Sequence, residues 1–365
     1  MQVKLLDLQA QYASIRREIR KVIDEVCDAQ AFILGATVET FEKSLAEYCG
    51  TKHAIGMSSG TDALLCALMA MDLKAGDEVI CPSFTFFATA GSISRAGATP
   101  VFADIDPRTF NVDPASIRAR ITPRTKAILP VHLFGQLADM EAINAIAREH
   151  GLRVIEDAAQ AIGARRNGVR ACAMADCGCL SFFPSKNLGG FGDAGAVCTN
   201  DDALAARCKL LRVHGTERQY YHQVVGGNFR IDALQAAVLG VKLRYLDNWH
   251  EGRRANAALY EKLFAGTKVQ APYIDPANWS IYNQYVIRVP DRDKVRDHLL
   301  KQGVGCAIYY PLPLHLQQCF AYVGGKAGDL PASERACHDV LALPVYPELS
   351  QDQVRYVAGQ VLEAV

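Results

Sequence analysis

Residues 181–190 run Ser-Phe-Phe-Pro-Ser-Lys-Asn-Leu-Gly-Gly, and a short way upstream lies Ile155-Glu156-Asp157-Ala158-Ala159-Gln160. Lys186 is flanked by Phe182, Phe183, Pro184 and a glycine run, surroundings that lower an amine's pKa and free it to form an imine. Asp157 closes an apolar run and could pair with a pyridine nitrogen, keeping it protonated so that the ring accepts electrons from a substrate carbanion. Gln160 could contact the hydroxyl side of such a ring. Together the two stretches read as a pyridoxal phosphate site. Each also has a plainer reading: most lone lysines are solvated, and a Glu-Asp pair at a strand end commonly holds a loop or a metal.

Other segments supply the remaining parts. Gly60-Thr61-Asp62 follows an expected strand and opens an expected helix, so its amides and the Thr61 hydroxyl could face a phosphate. Ordinary capping by Ser59 or Thr61 is the alternative. Ser181, five residues before Lys186, could reach the same phosphate, and Gly189-Gly190-Phe191-Gly192 reads as a flexible loop. Gly190 to Gly195 matches the dinucleotide fingerprint Gly-x-Gly-x-x-Gly, but a lysine loop precedes it and the strand-like Ala196 to Thr199 follows, which excludes a nicotinamide site. Phe86 could stack on a flat ring or simply pack in the core. Gly226 to Arg230, with Asn228, is a polar loop that a partner's active site could receive. Tyr309, Tyr310 and His315 lie in a proline-spaced loop that reads as a substrate-facing wall or a structural turn.

These residues need a scaffold, and the hydrophobic periodicity supplies one. Helical spacing covers 14–29, 37–48, 61–71, 86–96 and 140–150. Strands are expected at 54–57, 78–81, 100–103, 127–131, 153–156, 179–182 and 196–199. The alternation predicts an α/β fold with a mainly parallel sheet, and ligands bind such sheets at the carboxyl ends of the strands. Helix then dominates, at 203–213 and in one long stretch from Asp232 to Phe264. A strand at 284–289, a helix at 292–302, a short strand at 306–308 and helices at 332–340 and 350–362 complete a smaller α+β body. The expected division is 1–245 for the large domain and 246–365 for the small one.

Composition agrees with a metabolic enzyme. The 365 residues are half hydrophobic, with 39 basic and 39 acidic side chains, which argues against nucleic acid or an anionic membrane as the main partner. The opening residues lack the apolar core of a signal peptide and no apolar run is long enough to span a bilayer, so a cytoplasmic location is expected. Twelve cysteines are scattered without metal-ligand spacing, Cys172, Cys177 and Cys179 included, and are expected to be reduced thiols; no metal is expected. Asn278-Trp279-Ser280 matches a glycosylation sequon that carries little weight in such a chain.

Several of these motifs occur together and in order: Asp7 to Tyr12, Ser59 to Leu64, Ile155 to Gln160, Ser181 to Lys186 and Asn228 to Gln235. On them the chain resembles the DegT-type nucleotide-sugar aminotransferases, pyridoxal phosphate enzymes of fold type I. The resemblance implies that Lys186 carries pyridoxal 5'-phosphate as an internal aldimine, that Asp157 pairs with the pyridine nitrogen, and that Gln160 meets the ring hydroxyl. It places Gly60, Thr61, Asp62 through its amide, and Ser181 at the phosphate, and Phe86 over the ring face. Asn228 would come from a second subunit, which implies a homodimer with shared sites. Lys186 would then move protons in a ping-pong transamination from L-glutamate to a nucleotide-linked keto-sugar.

The loop ending at Gln317 and the Asn228-to-Arg230 stretch are most similar to members that aminate carbon 3. These include the enzyme making UDP-2-acetamido-3-amino-2,3-dideoxy-glucuronate for bacterial surface polysaccharide, such as the O-antigen of lipopolysaccharide. Arg230 could then clamp the uronate carboxylate, although Tyr309 stands where that enzyme type carries histidine. A dTDP-3-keto-6-deoxyhexose, a C4-keto sugar, or a non-catalytic pyridoxal phosphate sensor are the competing readings. A sister dehydratase type carries histidine in place of the imine lysine, and Lys186 argues against it.

Overall fold

The computed structural model describes residues 1–365. At its centre is a seven-stranded sheet made of β1 (His53–Met57), β2 (Glu78–Pro82), β3 (Thr99–Ala103), β4 (Thr125–Ile128), β5 (Arg153–Asp157), β6 (Cys177–Ser181) and β7 (Gly195–Thr199). The spatial order is β1-β7-β6-β5-β4-β2-β3. All run parallel except β7, which is antiparallel to both β1 and β6. The reversal follows from the connection: no crossover helix separates β6 from β7, only the thirteen-residue loop bearing Lys186, and a parallel return needs a crossover.

Helices cover both faces. The set is α1 (Leu8–Ala29), α2 (Ala36–Cys49), α3 (Gly60–Ala70), α4 (Ala88–Arg95), α5 (Pro114–Ala119), α6 (Met140–His150), α7 (Asp202–Arg212) and α8 (Ala233–Leu243). Their ends obey local rules: Asp7, Ser59, Asp113, Asp139 and Asp201 cap with side-chain oxygens, and Gly50 and Gly151 close helices in the left-handed conformation. One core joins α1, α2 and α8 through Ile19, Phe41, Leu45 and Leu239, and another joins α3, α4 and α7 through Leu64, Leu68, Ile93 and Leu211.

The expected long helix from 232 to 264 is two helices. The chain breaks at Arg244-Tyr245 between α8 and α9 (Leu246–Phe264). Along α9, Leu246 and Trp249 join the α1–α2–α8 core, while Ala257, Tyr260 and Phe264 enter a separate core built by the C-terminal elements. Those elements are β8 (Tyr285–Arg288), α10 (Arg292–Lys301), α11 (Pro331–Asp339), β9 (Val340–Leu343) and α12 (Gln351–Ala364). β8 pairs antiparallel with β9, a strand the sequence pattern did not signal. The short strand expected at 306–308 reduces to one bridge between Ala307 and Ala342. Val3 packs into this C-terminal core and bridges to Val304, so the first residues of the chain lie with its last part.

Candidate active site

A cavity of about 470 Å³ opens where β1, β5 and β6 end and the C-terminal body closes over them. Lys186 and Asp157 both line it. Lys186 is half-buried as a residue, and burial of its amine pulls its pKa down to about 8, with the negative charge of Asp157 resisting the shift. An amine with that value is neutral far more often at neutral pH than an ordinary lysine, and the neutral amine is the state that attacks a carbonyl.

Asp157 is 4% exposed at the last position of β5. Thr89 Oγ1 donates to its Oδ2 at 2.8 Å, the Ala159 amide donates to Oδ1 at 3.2 Å, and Thr85 and Thr89 hydroxyls lie 3.1 Å apart behind it. Burial raises the carboxyl above the usual carboxylate range, and these donors, with Lys186 and His132, pull the other way. Its neighbour Glu156 faces away from the cavity and serves the plainer purpose: it accepts from the amides of Cys172 and Met174, each at 2.8 Å, and from His132 Nε2 at 2.8 Å. The Ala138 amide donates to His132 Nδ1, which leaves the ring proton on Nε2.

One end of the cavity is formed by the start of α3. Gly60 and Thr61 occupy its first turn, where amides have no carbonyl to bond within the helix, and both line the cavity with Ser59 and Ser181. Asp62 is different. Its amide donates to Ser59 Oγ at 3.0 Å, and its carboxylate accepts from the Ser58 and Ser59 hydroxyls, so capping takes the amide expected to face a phosphate. Close packing explains two glycines here. A Cβ on Gly60 would stand 2.6 Å from Ser181 Cβ, and one on Gly195 would collide with Ser59 and Gly60.

The glycines after Lys186 are likewise tightly held rather than flexible. A Cβ on Gly189 would strike the Pro184 backbone, and one on Gly190 would lie 2.7 Å from Gln235 Oε1, which also accepts from the Phe191 amide at 2.8 Å. The dinucleotide-like run ends in strand β7 instead of a helix.

Gln160 is fixed at both ends, its Oε1 accepting from the Phe134 amide at 2.8 Å and its Nε2 donating to Tyr310 OH at 3.0 Å. Tyr309, Tyr310 and Phe86 line the cavity, Phe86 remaining 58% exposed. The sequence reading gave no individual role to Thr85, Ser185 and Asp193, which also line the cavity, and missed Gln284 in its wall and Thr89 behind it. Three expected residues lie elsewhere. His315 is 3% exposed, held by Ser83 Oγ at its Nδ1 (2.7 Å) and by Glu334 at its Nε2 (3.2 Å), and it does not line the cavity. Asn228 is exposed and bridges to Val213, and Arg230 bridges to Met57; neither lines the chain's own cavity.

Comparison with known proteins gives this arrangement its context. The profile of the DegT/DnrJ/EryC1/StrS aminotransferase family matches residues 13–362. The chain belongs to this family. It is an aminotransferase with an α/β fold shared by solved sugar aminotransferases. Among curated relatives, it is 51% identical to the "pleiotropic regulatory protein" of Geobacillus stearothermophilus, covering 100% of this chain and 98% of that one. It is 43% identical to the UDP-2-acetamido-2-deoxy-3-oxo-D-glucuronate aminotransferase of Pseudomonas aeruginosa, covering 98% and 99%. It is 42% identical to the dTDP-3-amino-3,4,6-trideoxy-alpha-D-glucose transaminase of Streptomyces venezuelae, covering 99% and 96%. The crystal structure of DesV from S. venezuelae in complex with a ketimine intermediate superposes with a TM-score of 0.97 at 41% identity, covering 99% and 98%.

The aminotransferases of this family depend on pyridoxal phosphate and take a sugar substrate and an amino donor. The residues present suit that group. One cavity combines an amine of lowered pKa, a buried carboxylate held by two donors, and first-turn amides where only glycine lets the helix approach Ser181. No helix is long and apolar enough to cross a membrane, and no cluster of three His, Cys, Asp or Glu side chains could hold a metal. All twelve cysteines are free thiols.

Proposed function

We propose that this enzyme transfers the amino group of L-glutamate to carbon 3 of a UDP-linked 3-keto-uronate, in the cytoplasm, for surface polysaccharide synthesis. The observation that carries the chemistry is the pairing of Lys186 with Asp157 inside one cavity, each perturbed by burial and each sensing the other. Lys186 would hold pyridoxal 5'-phosphate through its amine, Asp157 would meet the ring nitrogen, and Gln160 the ring hydroxyl. Gly60, Thr61 and Ser181 would hold the phosphate, and Phe86 would cover one ring face. When bound, the cofactor supplies an electron sink for the carbanion formed at the donor's α-carbon.

The chain's own groups would do the rest. The Lys186 amine takes the proton from the donor's α-carbon and returns one at the sugar's carbon 3, acting as base and then as acid. Asp157 holds its negative charge where positive charge must persist. Tyr309 and Tyr310 wall the cavity and limit water. Asn228 and Arg230, which do not line their own cavity, would serve the cavity of a second copy, with Arg230 toward the uronate carboxylate. Lys186→Ala should abolish turnover and the visible absorbance of the bound cofactor; normal transamination by that variant overturns the reading.

The likeness to the Pseudomonas aeruginosa uronate enzyme supports the substrate, and the near-equal likeness to the dTDP-sugar transaminase supports a dTDP-3-keto-6-deoxyhexose as the second reading. Release of 2-oxoglutarate with a panel of UDP- and dTDP-linked keto-sugars separates them. The regulatory name borne by the Geobacillus relative supports a sensor, which would release none with any sugar.

A further inference from the structure

Lys242 is 3% exposed near the end of α8, and nothing in the chemistry above uses it. Its amine donates to the Gly189 carbonyl, and Nζ lies 5.8 Å from the ring centres of both Phe191 and Trp249. Burial pulls its pKa down to about 8, and the charge of Glu348 holds it up only in part. Methionine would fill the same space without the cost of a buried charge, so what sets a lysine apart here is the bond to Gly189.

Gly189 belongs to the loop that carries Lys186, and that loop is a closed turn. The Lys186 amide donates to the Phe183 carbonyl at 2.8 Å and the Gly190 amide to the Phe182 carbonyl at 2.7 Å. Pro184, two residues before Lys186, packs directly against Gly189, three residues after it. Gln235 takes hold a little further on, accepting from the Phe191 amide at 2.8 Å. Gln235 and Lys242 stand seven residues apart on α8, which sets them on one face of the helix about two turns apart. One accepts from the loop and the other donates to it, so bonds of opposite sense fix the loop at two points. Neither side chain lines the reaction cavity.

We propose that Gln235 and Lys242 are positioning residues for the reaction, a two-point grip by α8 that holds the Lys186 loop and so keeps its amine desolvated and aimed into the cavity. The inference rests on the aminotransferase reading above. It assigns the control of Lys186 to a helix face behind the loop that meets neither cofactor nor substrate.

The test follows capture of pyridoxal 5'-phosphate by the full-length chain, cleared of cofactor, through visible absorbance across pH. Burial holds the Lys186 amine at about 8, and a loosened loop hydrates it, so its pKa should rise toward that of an ordinary lysine. Lys242→Met and Gln235→Leu should each move the capture midpoint up by about one pH unit and slow capture at neutral pH about tenfold. Gln235→Leu changes no charge, which separates the grip from a direct effect of the Lys242 charge and decides the matter if Lys242→Met fails to fold. Lys242→Arg keeps the charge and the donors and should restore the wild-type midpoint. Hydrogen exchange at the Lys186 and Gly190 amides, read without cofactor, should quicken about tenfold in the Met and Leu variants. A capture midpoint unmoved in both, with only a lower urea unfolding midpoint, overturns the proposal. A wild-type chain that captures no pyridoxal phosphate rejects the cofactor reading instead; amide exchange then decides the grip by itself, and exchange unaltered in both variants overturns it.

Discussion

Glu156 and Asp157 are consecutive, buried and acidic, and the alternation of a strand sends them to opposite sides of the sheet. Glu156 meets two amides and an imidazole, which bind the 172–174 loop and the 132–138 loop to the strand end. Asp157 meets one hydroxyl and one amide, and it lines the cavity opposite Lys186. A buried carboxylate matched by its own chain serves the fold. One that is raised by burial and only partly matched has interaction energy left for a ligand.

Changing each acid to its amide should break them apart. Asp157→Asn should lower turnover on the order of a thousandfold, the scale of losing a preorganised charge in an enclosed site. It should not lower the unfolding midpoint of the cofactor-free chain. Because folding raises the Asp157 pKa, its contribution to stability is greatest at low pH and falls as pH rises through the raised value. Removing the ionisable group should flatten that fall, as thermal melts across pH would record. A lower midpoint at neutral pH in the Asn variant breaks the comparison.

Glu156→Gln should do the reverse, costing about 2 to 4 kcal/mol in urea unfolding because buried donors lose their anionic acceptor. Turnover per folded molecule should remain near wild type. Gly60→Ala sharpens the ligand side: its Cβ meets Ser181, so the start of α3 must shift, at about 1 to 3 kcal/mol. Cofactor retention on dialysis should fall with it. The smallest effect belongs to Thr89→Val. Losing the hydroxyl that stabilises the Asp157 anion raises that carboxyl further, so the acid limb of the rate profile should move to higher pH by about one unit. Thr89→Ser should restore it.

The contrast also shows what could be read from the chain in advance. Asp157, Gly60 and Ser181 stand at strand ends or a helix start and Lys186 in the loop that follows Ser181, so local periodicity placed them at one edge of an α/β sheet. The choice between loop-holder and ligand-holder for the Glu-Asp pair was not local: Glu156 holds loops, and Asp157 lines the cavity. Thr89 was invisible because its partner lies 68 positions away, and the bond from Ser83 that holds His315 was hidden by a separation of 232 positions. The helix break at Tyr245 escaped notice because apolar periodicity runs through it. The glycines near Lys186 suggested mobility, yet what they permit is close approach by Pro184 and Gln235, neighbours that spacing alone does not supply.

The reversal of β7 has a kinetic consequence. Because β6 and β7 are sequential antiparallel neighbours, the loop that carries Lys186 is the turn of a long hairpin, and both of its ends are zipped together by short-range pairing. Asp157 arrives from the preceding strand through a parallel contact that closes a longer loop. The Lys186 amine is therefore set by contacts of lower order, and the Asp157 charge by contacts of somewhat higher order. A newly made chain can set the Lys186 amine in its turn before the buried Asp157 carboxylate is in place beside it.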